Sequence, residues 1–406
     1  MIKKTTISFF ALLLCFTQLS AQWVQRASLT GGTGNARRGA VAWTINNKLY
    51  VVGGGPGQNL QEYDPVSDTW TNKAALPWTT RRYLATGFTI NNKGYICTGT
   101  DGVSGIYYND MWMYDPATNT WTQKASFPGM TRVMAVGFSI GDKAYVGTGG
   151  DTSFFYNDMY EYNSLTDSWT TKSNFPGGFR VQMVATSFNG EGYVGGGVEF
   201  SLAAGNFINR KDFYRYNASA DSWDQVADIP GPARLSAVAF SSTDHIYVGT
   251  GTDSQVAGFG NLYKDFYKFD PYQGTWESMP SLPATRAYAV GAFVNGRPYV
   301  ATGINGTTDL SDVWTFSVNT TGIKKPGGDA NVTLVPSVAD KQVRLVAKEG
   351  STYTLGISNL AGQTVRELKN QGNNSEINCS DLADGIYIVT ICGADGAAKQ
   401  RLIVAH

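Results

Sequence analysis

The chain has 406 residues, enough for two domains or for one large β domain with an appendage. Its 32 basic and 32 acidic side chains cancel to zero formal charge, which argues against a general nucleic-acid or acidic-membrane partner. Aromatic residues make up 13% and charged residues 16%, with 47 glycines, which suits a glycine-turned all-β protein rather than a helical or disordered one.

The first stretch reads as a secretory signal. Lys3 and Lys4 supply the positive start, Ile7–Phe16 is apolar, and Leu19-Ser20-Ala21 ends in a small residue suited to cleavage before Gln22. The apolar run is too short for a membrane anchor. Leu13-Leu14 before Cys15 lack the small residue that lipoprotein processing prefers. No other long apolar run follows, so the mature chain is expected to be soluble and without a transmembrane segment. Beyond the signal stand Cys97, Cys379 and Cys392, too few for a disulfide framework. Cys379 and Cys392 could pair in an oxidising compartment, and Cys97 reads as a small buried residue.

From Trp23 the chain repeats. Tyr50, Tyr95, Tyr145, Tyr193, Tyr247 and Tyr299 recur at intervals of roughly fifty residues. Four residues after each comes Gly54, Gly99, Gly149, Gly197, Gly251 and Gly303. Thirteen residues before each comes Arg37, Arg82, Arg132, Arg180, Arg234 and Arg286. Tyr63, Tyr114, Tyr162, Tyr216 and Phe269 each precede Trp70, Trp121, Trp169, Trp223 and Trp276 by seven. Each unit predicts four strands. Asn46-Asn47, Asn91-Asn92, Gly141-Asp142, Asn189-Gly190 or Asn295-Gly296 turn the first hairpin, and Asp-Pro turns such as Asp115-Pro116 turn the second. One column of the first strand is small throughout, Ala42, Gly87, Gly137, Ala185, Ala239 and Gly291, while the later strands carry the bulk of Tyr and Trp.

These columns resemble the kelch family over about Trp23 to Ser317. The resemblance implies an all-β fold: a six-bladed kelch β-propeller with one four-stranded blade per repeat. The family's paired glycines stand at Gly53-Gly54 and Gly196-Gly197. Elsewhere Thr replaces the first, as at Thr98-Gly99 and Thr302-Gly303, a change expected to be harmless because Thr is small and favours strands. No Trp follows Phe316 in the sixth repeat. Trp23, Ala27 and Leu29 match the spacing of Trp70, Ala74 and Leu76, so the N-terminal strand is expected to complete the last blade.

Residues 318–331 read as a polar linker. After it, alternating runs at Gln342–Ala347, Tyr353–Ser358, Gly385–Cys392 and Lys399–Val404 predict a small C-terminal β-sandwich. Its segments Tyr353-Thr354-Leu355, Leu360–Val365 and Leu382-Ala383-Asp384-Gly385-Ile386-Tyr387 resemble the C-terminal sorting domain of the type IX secretion system. That implies export by the secretion machinery and a secreted or outer-membrane-associated location. The expected domains are a signal peptide at 1–21, the propeller at 22–317, the linker at 318–331 and the sandwich at 332–406.

Strand alternation puts the Arg column, the second-to-third-strand loops and the connections between repeats at one end. Those loops vary most in length, and variable loops on a rigid scaffold are where binding usually sits. The candidate ligand-binding set is the Arg ring, the loop aromatics Tyr107, Phe155 and Phe207, and the loop acids Asp101, Asp151 and Asp253. Tyr108, Phe154, Tyr156 and Phe259 accompany the aromatics. Two acidic columns share this end: Asp101, Asp151, Glu199 and Asp253, then Asp110, Asp158, Asp212, Asp265 and Asp312. They open the other reading, in which each Arg pairs with an acid and braces the blades. The first repeat has Pro56 and Asn59 in place of both acids, so Arg37 stands out as the arginine without one.

The chain's histidines are His245, in a turn at the opposite end, and the terminal His406, so neither a His-based metal site nor a Ser-His triad can be built. No cofactor is expected. Three functions remain. The first is a secreted, non-enzymatic binding module for a glycan or a surface protein. The second is an enzyme on acidic sugars, similar in fold to the periplasmic sialic acid mutarotases, with Glu199 as its catalytic candidate. The third is a structural or adhesive surface protein.

Overall fold

The structure, a computed structural model, describes residues 20–30, 35–55, 59–77, 82–201, 205–255, 260–319, 333–335, 338–347, 349–359, 363–393 and 396–404. Residues 1–19 of the expected signal peptide, most of the linker, Pro56, Phe259 and His406 lie outside the described residues. The chain divides into two compact units, one spanning Ala21–Asn319 and one containing Thr320–His406.

The first unit holds six four-stranded antiparallel sheets among its described residues. Val41–Ile45, Lys48–Val52, Leu60–Asp64 and Thr69–Asn72 form the first, in that order. The next four begin at Thr86–Ile90, Val136–Ile140, Val184–Phe188 and Val238–Ser241 and repeat the same order. The sixth combines Val290–Val294, Arg297–Ala301 and Val313–Asn319 with the N-terminal strand Ser20–Arg26 on its outer edge. The two ends of the repeat region thus meet in one sheet, which leaves no half-built blade.

The hairpin residues explain the tight turns. Asn46 and Asn47 sit at φ 52° and 58°, and Asn91 and Asn92 at 50° and 57°, the left-handed pair that a two-residue hairpin needs. The first strand of each sheet lies innermost, against the first strands of both neighbours. Space there is short: a Cβ on Gly87 would stand 2.2 Å from Val41 Cγ1, and one on Gly137 would stand 2.5 Å from Thr86 Oγ1. The inner strands enclose an axial cavity of about 170 Å³ lined by Ala, Val, Gly, Thr86 and Met183.

Neighbouring sheets are also tied by polar bonds. The amide of each repeat glycine donates to the carbonyl of the next repeat's arginine: Gly54 to Arg82 (2.7 Å), Gly99 to Arg132 (2.8 Å), Gly149 to Arg180 (2.9 Å), Gly197 to Arg234 (2.8 Å), Gly251 to Arg286 (2.8 Å) and Gly303 back to Arg37 (2.8 Å). At the rim, each indole donates to the preceding sheet, as in Trp70 Nε1 to Ala27 O and Trp121 Nε1 to Ala74 O, both 2.8 Å. The tryptophans are therefore staples between blades as well as bulk.

The second unit packs a three-stranded sheet (Thr333–Val335, Gln342–Val346, Glu376–Asn378) and a five-stranded one (Val338–Ala339, Gly396–Val404, Gly385–Gly393, Tyr353–Asn359, Thr364–Gln371) around Val343, Leu345, Leu355, Ile357, Val389 and Leu402. The strand Thr364–Gln371 is polar, largely exposed and without clean alternation, which is why periodicity did not predict it. Cys379 is buried, Cys392 is exposed, and both are free thiols. Cys97 is buried as expected, and that burial pushes its thiol far above the ordinary range.

Candidate ligand-binding mouth

The six arginines open the first strands, and all are at most 2% exposed. Five hold a carboxylate from the next-but-one strand through two parallel bonds: Arg82 to Asp110 (2.8 and 3.0 Å), Arg132 to Asp158 (2.5 and 2.9 Å), Arg180 to Asp212 (2.5 and 2.7 Å), Arg234 to Asp265 (2.6 and 2.7 Å) and Arg286 to Asp312 (2.9 and 2.8 Å). Each Nη1 also donates to the carbonyl of the residue before the repeat glycine, such as Thr98 O at 2.6 Å. The expectation of a ligand-facing arginine ring is corrected on this point. The bidentate fork is already filled from within its own blade, and closure of the blade over it removes it from solvent.

Arg37 is the exception the sequence pointed to. With Asn59 at the acid position, its Nη2 donates to Gln61 Oε1 (3.0 Å) and its Nη1 to the carbonyls of Asn59 (3.3 Å) and Gly53 (3.4 Å). Burial without a counter-charge lowers its pKa to about 10.

The threonines before the repeat glycines are not there as strand formers. Thr98, Thr148, Thr250 and Thr302 sit at φ 62°, 56°, 62° and 59°, the left-handed region that β-branched residues avoid. Their conformation turns the carbonyl onto the arginine, and Gly53 (66°) and Gly196 (62°) do the same without strain.

The loop acids, offered as partners of the arginines or of a ligand, bond within their own loops. Asp101 accepts from the Val103 amide (3.1 Å) and the Ser104 amide and hydroxyl. Asp151 accepts from the amides of Ser153 (2.7 Å) and Phe154 (2.8 Å) and from the Tyr156 hydroxyl (2.7 Å). Desolvation pushes the Asp151 carboxyl up, but these donors outweigh it and hold the group below its ordinary value. Asp253 accepts from the Asn261 amide and side chain, both 2.7 Å. Glu199 is paired with Arg210 Nε at 2.7 Å.

Loop and arginine are coupled through a tyrosine. Arg132 stacks on Tyr156 at 4.2 Å, and Tyr156 bonds Asp151, which caps the turn carrying Phe154 and Phe155. Arg82 lies over Tyr108 at 4.0 Å and Arg234 over Tyr263 at 5.0 Å. The arginines thus act on the mouth from beneath, as footings for its loops.

The aromatics gather unevenly. The long loop of the fourth repeat forms a hairpin, Val198–Ser201 with Asn206–Asn209, on the short strand Arg180–Val181. It brings Phe200 and Phe207 together at 5.2 Å, and Phe207 meets Phe155 of the third repeat at 5.9 Å. With Phe154 and Phe179 they line a cleft of about 520 Å³ floored beside Asp151. Phe154 is 66% exposed, Phe207 51%, Phe179 44% and Phe200 37%, a cluster of large apolar side chains that water disfavours. Phe155 anchors the cleft against the buried Val181, Val198 and Leu235. Tyr107 is half-buried on the second repeat's loop and does not line this cleft. Phe179 and Phe200 were missed by the sequence reading. The signal for Phe179 is departure from the repeat: the residue before each arginine is otherwise Ala36, Arg81, Thr131, Ala233 or Thr285.

The axis narrows at the mouth to a neck built by the residue two beyond each arginine. Gly39, Leu84, Met134, Gln182, Ser236 and Tyr288 all have φ between 52° and 62°. This strained turn links blades by backbone bonds: Leu84 N–H to Gly39 O (3.0 Å), Met134 to Leu84 (2.9 Å), Ser236 to Gln182 (3.0 Å), Tyr288 to Ser236 (3.0 Å) and Gly39 to Tyr288 (2.9 Å). No group of three or more His, Cys, Asp or Glu suited to a metal is found among the described residues.

Residues 4–197 match the KLHDC2/KLHL20/DRC7 Kelch-repeats domain, and residues 336–405 match the Secretion system C-terminal sorting domain. Among curated proteins, the chain is similar to an F-box/kelch-repeat protein of Arabidopsis thaliana, at 28% identity over 28% of each chain. It is also similar to a Kelch domain-containing protein of Sulfurisphaera tokodaii (29% identity, 24% of this chain, 14% of the relative) and to beta-scruin of Limulus polyphemus (30%, 27% and 13%). This chain spans between 13% and 28% of the lengths of those relatives. A solved structure of YjhT superposes with a TM-score of 0.57 over 71% of this chain and 97% of that one, at 19% identity. The sorting domain marks the chain for secretion or the cell surface, and no helix among the described residues is long and apolar enough to cross a membrane.

Proposed function

We propose that this chain, whose residues 4–197 match a Kelch-repeats domain and whose residues 336–405 match a secretion sorting domain, is a secreted or surface-exposed binding module whose mouth takes a glycan or protein ligand. The observation that carries the reading is the cleft of exposed phenylalanines on the third- and fourth-repeat loops. Four large apolar side chains held in solvent by a braced scaffold cost solubility, and a ligand that covers them recovers that free energy at about 25 cal/mol per Å². Candidate contacts are Phe155, Phe207, Phe200 and Phe179, with Tyr107 and the loop acids on the flanking rim.

The enzymatic reading asks for an arginine open to a sugar carboxylate and for Glu199 as acid or base. The arginines are buried, and Glu199 is ion-paired with Arg210. Both observations favour the binding reading over a mutarotase-like one, and the likeness to YjhT bears on the fold alone.

The test is a glycan array together with capture of surface proteins by the mature chain, run beside a Phe200→Ala/Phe207→Ala double variant. The module reading expects specific binding that the double variant weakens at least tenfold with an unchanged melting temperature. Binding indifferent to the double variant would remove the cleft from the site, and absence of any specific ligand would leave the structural or adhesive reading in its place.

A further inference from the structure

The neck is divided by chemistry. The half of its ring that comes from the first three repeats is apolar or bare, with Gly39, Leu84 and Met134 adjoining one another; the other half carries Gln182, Ser236 and Tyr288. Gln182 is 7% exposed, and its Nε2 donates to the Tyr288 hydroxyl at 2.8 Å. Its Oε1 is buried and has no hydrogen-bond partner among the described residues. A buried amide oxygen without a donor is costly, and this one is sealed, so it gains a donor only when the Gln182 side chain turns toward the neck. Tyr288 places this group at the mouth end of the axis, because its hydroxyl reaches Gln255 O in the long fifth-repeat loop at 3.3 Å. The neck encloses about 130 Å³ and shares Ala40, Ala85, Ala135, Ala237 and Ala289 with the axial cavity beneath.

The charge at this place is settled. Arg38, beside the neck, is paired with Asp309 at 2.9 Å and donates to the Tyr83 hydroxyl at 3.0 Å. The deeper arginines hold aspartates or, for Arg37, Gln61. A ligand in the neck therefore meets hydroxyl and amide groups on one side, aliphatic side chains on the other, and no charged side chain among the described residues that line it. A neutral pyranose has that division: hydroxyls at its edge and C–H groups on its face.

We propose that the neck is a subsite for the terminal, uncharged sugar residue of a glycan, with the Gln182 side chain turning so that its Oε1 accepts from a sugar hydroxyl and with the ring face against Leu84 and Met134. This rests on the binding-module reading and adds a substrate class and a second contact to it. The phenylalanine cleft takes the rest of the ligand, and the neck selects its end.

The experiment titrates the mature chain with the methyl glycosides of glucose, galactose, mannose and N-acetylglucosamine, and with N-acetylneuraminic acid as the charged comparison. Binding is followed by NMR, including the Gln182 side-chain amide signal. At least one neutral glycoside is expected to bind saturably and shift that signal, with the acid binding at least tenfold more weakly. Gln182→Leu is expected to weaken the neutral sugar at least tenfold while the melting temperature holds or rises, since the unpaired oxygen is gone. Ser236→Ala is a second variant that keeps the backbone ring and is expected to weaken binding several-fold. The inference falls if no neutral glycoside saturates the site. It also falls if the acid binds best, or if Gln182→Leu leaves the affinity within twofold. A ligand lost with Phe200→Ala/Phe207→Ala but indifferent to Gln182→Leu would sink the neck while leaving the module reading standing.

Discussion

Arg286 and Asp312 meet through two parallel bonds of 2.9 and 2.8 Å, with the arginine wholly buried and the carboxylate also accepting from Trp314 Nε1 at 2.6 Å. Desolvation pushes the Asp312 carboxyl up, but Arg286 and Trp314 outweigh it and leave its pKa depressed. A carboxylate depressed in the folded state contributes stability that is present above its unfolded value, about 4, and lost as pH falls through the folded value. Asp312→Asn should therefore destabilise the propeller by about 3–5 kcal/mol at pH 7. The gap to the parent should narrow as pH drops below about 4. Urea melts at pH 7 and pH 3 would check this, and an equal gap at both would contradict it.

Arg37 invites the reverse change. Asn59→Asp supplies the carboxylate that the other five repeats already have at this register, opposite a cation whose pKa burial has lowered to about 10. The expected gain is about 1.5 kcal/mol at pH 7, read from the denaturation midpoint. A loss of stability would show that the short first loop cannot bring the new carboxylate to the guanidinium.

Thr148 and Gly149 form a paired test of backbone strain. Thr148 is at φ 56°, and its Oγ1 is buried without a partner among the described residues. Thr148→Gly removes both penalties, against the extra entropy of a glycine in the unfolded chain, and should stabilise by up to about 1 kcal/mol. Gly149→Ala should do the opposite, because its Cβ would stand 2.6 Å from Val133 O at φ 77°. Thermal melts of the two variants moving in the same direction would refute the strain account.

Trp23 closes the ring. Its indole donates to Pro280 O at 2.8 Å and packs edge-on against Phe266 and Phe316, at 5.0 and 5.4 Å. Trp23→Ala should cost about 3–5 kcal/mol and speed amide exchange first in Val313–Asn319, the strand beside it. Uniform exchange across all sheets would mean that the seam is no weaker than the other blade contacts.

The Tyr156 hydroxyl, desolvated and bonded to Asp151, is pushed up to about 12 and remains a donor at neutral pH. Tyr156→Phe should leave the global stability within about 1 kcal/mol but raise hydrogen exchange at the Ser153 and Phe154 amides, which Asp151 holds. Unchanged exchange there would show that the turn does not depend on the arginine-tyrosine-aspartate chain.

Much of the site was readable only in part. Every arginine and both acidic columns were visible as repeats, and Asn59 marked Arg37 as the one without a carboxylate. Which column would take the arginines was not visible, because both lie at the same end and differ only in loop geometry. The residues that make the mouth distinctive, Phe179, Phe200 and Gln182, break the repeat, and a search for columns passes over residues that break them.

The sequence by itself determined the architecture: recurrent Gly, Tyr and Trp at fixed spacing admit one packing of similar wedges, and the orphan Trp23 identifies the strand that closes them. It determined the destination as well, through a tail recognisable from its own strand pattern. Tertiary structure decided what faces water. Arginine and aspartate attract wherever they meet, but only the closed blade buries the guanidinium groups, turns Thr98 and its counterparts left-handed to serve them, leaves the phenylalanines open to water, and puts the Gln182 amide oxygen among the buried polar atoms without a partner among the described residues.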